Sequence, residues 1–442
     1  MNKDCEITIS SAPGKALIVG GYLVLDRNYN GLVVSLNSRV YVAIKSQPLQ
    51  NKSQKQFNII VDSFQFLNAC WQYTVSKEEL GNGDFVPVLK QIQAEGSTKN
   101  KFIQTVLDSS LKLIKHRNPL LLKEYFYSGT NLEIVIASDN EFYSASEESL
   151  NENMKFKSTN STLENVHKTG LGSSAALVTA LCASLLLHFK VVSKDSFKKE
   201  LYVNQTFGKE RQDLDLSNVK RDREILDFLS QYAHCTAQGK IGSGFDISAA
   251  IFGTQIYRRF TAEDLVPKPD MNESDFLLEF VNGSKKLDSE ATSVCIPPLF
   301  TLMLADVNAG SNTPSMVKKV LEWRKNDPNN LNLSIYKIRK CLKKIGELAG
   351  VPIEPDEQSK LIDSCIEIPG VIMAGVPGAG GYDAIFCLIL TKEPIQELKK
   401  LFKMEFTNVN DLGCHQDDQG CLYVDQNESY VSELLMKFSK LS

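Results

Sequence analysis

Apolar positions along this chain change their spacing several times, and each change predicts an element. Ile7-Thr8-Ile9 opens a strand, the Ala12-Pro13-Gly14 turn interrupts it, and residues 16–25 resume an apolar run. Alternation at 32–44, 57–61, 72–75 and 131–137 predicts strands of a largely antiparallel sheet. Phe102, Ile103, Val106, Leu107, Leu111 and Ile114 keep helical spacing, so 101–116 reads as an amphipathic helix. From Ser173 to about Phe189 the chain is apolar nearly all round, which predicts a helix buried between layers. Residues 139–165 are rich in Ser, Asn and Glu without an apolar period and read as a mobile loop, and 209–223 reads as a charged surface segment.

The second half has a different texture. Residues 261–274 carry Pro267, Pro269 and several acids, which suits a linker. Beyond it, strands are expected at 300–307, 371–376 and 384–390, and helices at 315–325, 333–349, 394–402 and 429–440. Strands interleaved with helices on one face suggest an α+β sandwich. At 442 residues the chain exceeds what one core supports, so two domains are expected, 1–260 and 275–442.

Composition narrows the function classes. A net charge of −4 offers no basic field for nucleic acid or an anionic membrane. Residues 1–10 lack a positive-then-apolar signal pattern, and the longest apolar stretch, 175–189, is too short to span a bilayer, so a cytoplasmic protein without membrane insertion is expected. The ten cysteines contain no C-x-x-C pair, which indicates neither a zinc ribbon nor a disulfide framework, and Cys414, His415 and Cys421 lack a second spaced pair.

The richest chemistry lies at Lys168-Thr169-Gly170-Leu171-Gly172-Ser173-Ser174, a glycine and hydroxyl turn that opens into the buried helix. Glycines let backbone approach an anion, and a helix N-terminus offers unpaired N–H groups and the positive end of the dipole. Ser173 and Ser174 add hydroxyls for phosphate or a hard metal ion. Gly-Leu-Gly-Ser-Ser-Ala also fits a dinucleotide fingerprint, with Asp195 at roughly the right distance, but the polar residues before the turn supply no strand. None of Gly14-Lys15, Gly208-Lys209 or Gly239-Lys240 completes a P-loop.

Two further glycine motifs stand at Ser10–Leu25, containing Pro13-Gly14-Lys15, and at Gly375–Ile385, containing Gly378-Ala379-Gly380-Gly381-Tyr382-Asp383. The three together, in this order and spacing, resemble the GHMP kinases. The segment His234–Ile247, the strand Tyr257–Phe260 and the Gly-Gly-Tyr-Asp of the third motif are most similar to the phosphomevalonate kinases, in their fungal form. The resemblance implies an N-terminal domain like the second domain of ribosomal protein S5, a ferredoxin-like C-terminal domain, and an active site at their interface. It implies ATP on Lys168, Thr169, Gly170, Leu171, Gly172, Ser173, Ser174, Ala175, Ala176, Leu177 and Val178, with Mg²⁺ at Ser174. Lys15 and Asp246 are the implied catalytic pair, with phosphomevalonate as acceptor.

Phosphoryl transfer requires positioning and cationic neutralisation rather than covalent chemistry. A phosphate acceptor is already ionised near neutral pH, so a base matters less and positive charge more. Lys15, Lys99, Lys240, Arg258 and Arg259 are candidates for that charge, though alternation puts Arg258 and Arg259 on opposite strand faces. Ser243, the turn 308–312 and Gly380 are candidate acceptor contacts. The alternatives are mevalonate kinase or another GHMP small-molecule kinase, and a catalytically silent nucleotide sensor of the same fold, against which Lys15, Ser174 and Asp246 together argue. Two departures are visible: His167 stands where a small residue is usual, and the helical region between Trp323 and Pro352 is short.

Overall fold

The computed structural model describes residues 7–48, 56–81, 84–92, 99–143, 154–199, 201, 216–283, 285–307, 316, 319, 322 and 338–440. Long alternating runs at the N-terminus form β1 (Ile7–Val19) and β2 (Asn30–Gln47), joined by a 3-10 turn at Tyr22–Leu25. The Ala12-Pro13-Gly14 turn does not end the strand as expected. A register shift between Pro13 and Lys15 absorbs Gly14 as a bulge, and pairing with β2 resumes at Lys15 opposite Ser35.

β3 (Gln56–Asp62), β4 (Cys70–Gly81), β5 (Asp84–Ile92) and β6 (Asn131–Ser138) extend this sheet in the order β1-β2-β6-β3-β4-β5. Its pairs are antiparallel except β3 with β6. β5 escapes a reading by period because Pro87 interrupts its run, and an edge strand tolerates the missing donor. α1 (Lys101–Arg117) starts where Asn100 accepts from the amides of Phe102 and Ile103. α2 (Pro119–Ser128), not anticipated from spacing, carries proline in its first turn and ends at Gly129 in the left-handed region.

α3 (Ser173–His188) is the buried helix the composition requires: every residue from Val178 to His188 is buried. It is tied to the first sheet by hydrogen bonds: Ser10 Oγ donates to the Ala180 carbonyl at 2.8 Å and Ser184 Oγ to the Val42 carbonyl at 2.8 Å. α4 (Leu216–Gln238) takes in residues 216–223 of the segment read as charged surface; residues 202–215 lie outside the described residues. The short α5 (Phe245–Phe252) leads into β7 (Gln255–Arg258), which pairs with β2 and with β8 (Glu290–Ser293). The linker read at 261–274 is ordered: Leu265 is buried, the Thr261 amide donates to Asp288 at 2.8 Å, and α6 (Glu273–Val281) packs Phe276 and Phe280 against Phe228.

A second sheet, ordered β10-β11-β9-β12, combines β9 (Phe300–Val307), β10 (Val371–Gly375), β11 (Ala384–Leu390) and β12 (Val409–Asp411). α7 (Ile338–Ala349), α8 (Asp356–Ile366) and α9 (Pro394–Glu405) accompany it, and α8 and α9 share its core through Leu361, Ile362, Leu398 and Phe402. The helix expected at 315–325 and the turn at 308–312 fall largely outside the described residues. The chain then returns to the first sheet. β13 (Leu422–Tyr423) pairs with β1, and α10 (Val431–Leu435) covers Ile9, Tyr41, Ala43, Val135 and Ala137. The expected mobility of 139–165 does not hold for 154–165: Phe156 is buried against Tyr41 and Tyr430, and the Thr159 amide donates to the Gln65 carbonyl. The mixed, two-sheet architecture is the α+β class expected.

At the far end of α3, His188 Nδ1 lies 3.0 Å from Thr8 Oγ1, and its Nε2 lies 2.8 Å from Ser46 Oγ and 2.9 Å from Tyr125 Oη. Burial lowers this imidazole from 6.5 to about 4. The native protein therefore stays neutral there while the unfolded chain takes up a proton, so this contribution to stability is complete above 6.5 and is lost as pH falls toward about 4. His188→Gln is expected to flatten the decline in unfolding free energy across that window. Denaturant melts of both proteins at a series of pH values measure it, and parallel pH profiles would refute the assignment.

Candidate active site

The phosphate turn is anchored on one side and open on the other. Thr169 Oγ1 donates to the Glu141 carbonyl at 2.6 Å and its amide to the Phe142 carbonyl, so this buried hydroxyl faces the protein. Lys168 is exposed, and Leu171 is buried. Gly170 and Gly172 take φ of +76° and +86°, a region that favours glycine. Gly172 caps α3 without a side-chain hydrogen bond, which leaves the first-turn amides free of intrahelical acceptors at the positive end of the dipole. Of the residues that follow, Ala175, Ala176 and Val178 are buried and serve packing, while Ser173, Ser174 and Leu177 are half-buried.

Lys15 lies directly against this turn. Its amide donates to the Leu171 carbonyl at 2.9 Å and its ammonium to the Gly170 carbonyl at 3.0 Å. The ammonium also sits 5.7 Å from the centre of the Phe245 ring. Burial lowers its pKa, and the charge of Asp246 opposes that shift, so lysine and aspartate share one electrostatic environment. Asp246 stands in the first turn of α5, after Gly244 at φ +77°. A Cβ on Gly244 would come within 2.8 Å of Gln231 Oε1 and 2.9 Å of Tyr257 Oη, so no other residue fits.

His234 is a site residue that spacing alone does not reveal. It reaches from α4 so that Nε2 is 3.2 Å from Ser174 Oγ and 3.1 Å from Gln238 Nε2, and its ring stacks on Phe102 at 5.5 Å. Burial lowers its pKa, Asp246 raises it and Lys240 lowers it further, so Asp246 and Lys240 are both near enough to act on the ring. The available signal was its place in the His234–Ile247 segment, next to the residues that carry the resemblance.

The third glycine motif docks beside the same strand. The Gly378 amide donates to the Leu17 carbonyl at 3.0 Å, and Tyr22 Oη donates to the Ala379 carbonyl. Gly380, at φ +74°, packs where a Cβ would strike the Ile353 carbonyl. Lys99 is exposed immediately before α1, three residues from the Phe102 that stacks on His234. The Ser243 carbonyl accepts from Tyr257 Oη at 2.9 Å. Arg258 does not join this cluster. It pairs with Glu290 and stands opposite Asn30, five residues along β2 from Ser35, roughly 16 Å at about 3.3 Å per residue. Arg259 is occupied with backbone carbonyls. The dinucleotide alternative also fails, because the turn follows an isolated antiparallel bridge, Tyr143 to Lys168, rather than a parallel strand, and Asp195 pairs with Lys198.

A Cβ on Gly172 would lie 3.0 Å from Lys15 Cε and 3.3 Å from its Cγ, whereas one on Gly170 would meet nothing within 4 Å. Both substitutions carry left-handed strain of about 1–2 kcal/mol. Gly172→Ala also displaces Lys15, so it is expected to slow ATP turnover by about tenfold or more, while Gly170→Ala stays within about threefold of the parent. Steady-state rates beside thermal melts test this, and equal rate losses in the two variants would contradict the contact.

No family model matches the chain. The phosphomevalonate kinase of Gibberella zeae is 35% identical over 427 residues, covering 89% of this chain and 90% of its own. The peroxisomal phosphomevalonate kinase of Arabidopsis thaliana is 29% identical over 485 residues, covering 86% and 90%. Among solved structures, Streptococcus pneumoniae phosphomevalonate kinase in complex with phosphomevalonate and AMPPNP superposes with a TM-score of 0.53 at 15% identity, over 92% of this chain and 99% of that one, a likeness of fold. At 35% identity over nine-tenths of both chains, the chain belongs to the phosphomevalonate kinases within the GHMP kinase family.

Proposed function

We propose that this chain transfers the γ-phosphoryl group of ATP to the phosphate of (R)-5-phosphomevalonate, giving 5-diphosphomevalonate and ADP on the mevalonate route to isoprenoids and sterols. The observation that carries the reading is the contact of Lys15 with the open N-terminus of α3 in a chain of this family. The free amides of the α3 turn receive nucleotide phosphate, and the ammonium of Lys15, fixed by the Gly170 carbonyl, neutralises charge as it develops on the transferred group. Asp246 orients Lys15 electrostatically. An acceptor that is already ionised needs little help from a base, so positioning dominates.

The Ser174 hydroxyl and the Asp246 carboxylate are hard oxygen donors suited to Mg²⁺, which when bound with ATP supplies charge neutralisation on the phosphates. His234 Nε2, 3.2 Å from Ser174 Oγ, holds that hydroxyl in place. Lys99, at the head of α1, is the cation assigned to the acceptor end, with Ser243 and the Gly380 turn as further contacts. Arg258, paired with Glu290, is left out of this assignment.

The proposal treats 1–260 and 275–442 as two working units with the cleft between them, tied together by α6 and by residues 422–440 on the first sheet. Among the described residues no helix is long and apolar enough to cross a membrane. A cytoplasmic location belongs to this proposal; fractionation separates it from the peroxisomal location named for the Arabidopsis relative.

A coupled assay of ADP release with mevalonate, phosphomevalonate, homoserine and galactose tests the reaction. Phosphomevalonate is expected to be preferred strongly, and equal use of mevalonate would overturn the acceptor assignment. Lys15→Ala is expected to lower kcat by about two to three powers of ten with a smaller change in ATP affinity. Lys99→Ala should raise the phosphomevalonate KM well above any change in the ATP KM. Near-normal kinetics in both would show that the cleft lies elsewhere.

A further inference from the structure

The loop that delivers Asp246 is held from behind by three side chains, one to each of three successive carbonyl groups. Arg259 donates to the Gly242 carbonyl through Nε at 3.0 Å and Nη2 at 2.7 Å. Tyr257 Oη donates to the Ser243 carbonyl at 2.9 Å, and Gln231 Nε2 to the Gly244 carbonyl at 2.9 Å. Each carbonyl is thereby oriented toward β7 or α4. The peptide planes leading to Asp246 have little freedom left, and Gly244 sits where even a methyl group would collide with two of the three clamping residues.

Arg259 differs from the other two because its remaining arm reaches another element. Nη1 donates to the Leu25 carbonyl at 2.9 Å, at the end of the 3-10 turn that follows the Lys15 strand. The start of that turn is Tyr22, whose hydroxyl donates to the Ala379 carbonyl in the third glycine motif. One planar guanidinium thus bridges the acidic loop and the turn on which the second sheet's glycine motif docks. Only a fork with several fixed donors spans both carbonyl groups; an ammonium is a compact point donor.

We propose that Arg259 is a positioning residue for phosphoryl transfer: it couples docking of the Gly378–Gly381 turn to the aim of Asp246. The inference rests on the assignment of Asp246 to the transfer step. It gives the second arginine of the Tyr257–Phe260 strand a role distinct from acceptor charge, and it links the two ends of the cleft through Gly242, Leu25, Tyr22 and Ala379.

The test is a double-mutant cycle in the full chain with ATP and phosphomevalonate as substrates. Arg259→Met is expected to lower kcat by about tenfold to a hundredfold, as misplacement by about an ångström does, while both KM values move less than about threefold. Arg259→Lys should recover only part of the loss. The double variant Arg259→Met/Asp246→Asn should be no slower than Asp246→Asn alone, because the arginine acts through the aspartate. Additive losses, or a folded Arg259→Met with parental kcat, would overturn the coupling while leaving the proposed reaction intact. Loss of activity in Arg259→Met with full activity in Asp246→Asn would instead remove the role of Asp246, and the inference with it. Should Arg259→Met fail to fold, Tyr22→Phe removes the single donor to Ala379, a link of the same route, without changing shape. It is expected to lower kcat several-fold, non-additively with Asp246→Asn, and additivity there counts equally against the proposal.

Discussion

Everything at this site depends on how strand β1 meets the N-terminus of α3. Two hydrogen bonds from one residue make the contact, from the Lys15 amide to Leu171 and from its ammonium to Gly170. The backbone bond sets the height of the strand against the turn, and the side-chain bond sets where the charge stands. Both carbonyl acceptors belong to the turn that opens α3, so the same few atoms fix the cation beside a helix N-terminus that has no side-chain cap. Because α3 is buried along most of its length, the turn cannot move without moving the core.

Electrostatics at the site follow from partial burial. Lys15 and His234 are both pushed toward neutrality by desolvation, and Asp246 opposes the shift in each. One aspartate thus acts on two basic groups at once, which places all three in a common electrostatic environment. His234 gains a further constraint from the Phe102 ring and from Gln238, so the Ser174 hydroxyl faces a fixed partner. Rigidity of this kind suits a reaction in which the protein contributes position and field rather than bonds.

The second unit reaches the site through a backbone bond and a side-chain bond at its glycine turn. Its glycine turn touches the Lys15 strand at Leu17 and the following 3-10 turn at Tyr22, while the C-terminal residues return to β1 and cover one face of the first sheet. The two units are consequently joined beside Lys15 and again where β13 pairs with β1. A change in the second unit is transmitted to the first by one main-chain bond, one tyrosine hydroxyl and the shared packing of Leu302, Leu304 and Phe386 in the main core.

Local period and glycine chemistry were sufficient for much of this. The alternating runs became β1, β2, β3, β4 and β6, the helical spacing at 101–116 became α1, and the apolar segment after Gly172 became the buried helix, since each pattern states which faces are covered. The three glycine motifs carried the family, because positive φ and close approach leave few residue choices. The sequence did not yield the bulge at Gly14, the helix after Asn118-Pro119, or the strand containing Pro87, where a single residue changes meaning with its neighbours. Only the tertiary structure decided that His234 meets Ser174 across 60 positions, that Arg258 pairs with Glu290 while Arg259 braces a loop, and that the C-terminus closes on the first strand. Those outcomes depend on which surfaces come together in space, and a periodicity records only that a face is buried, not what buries it.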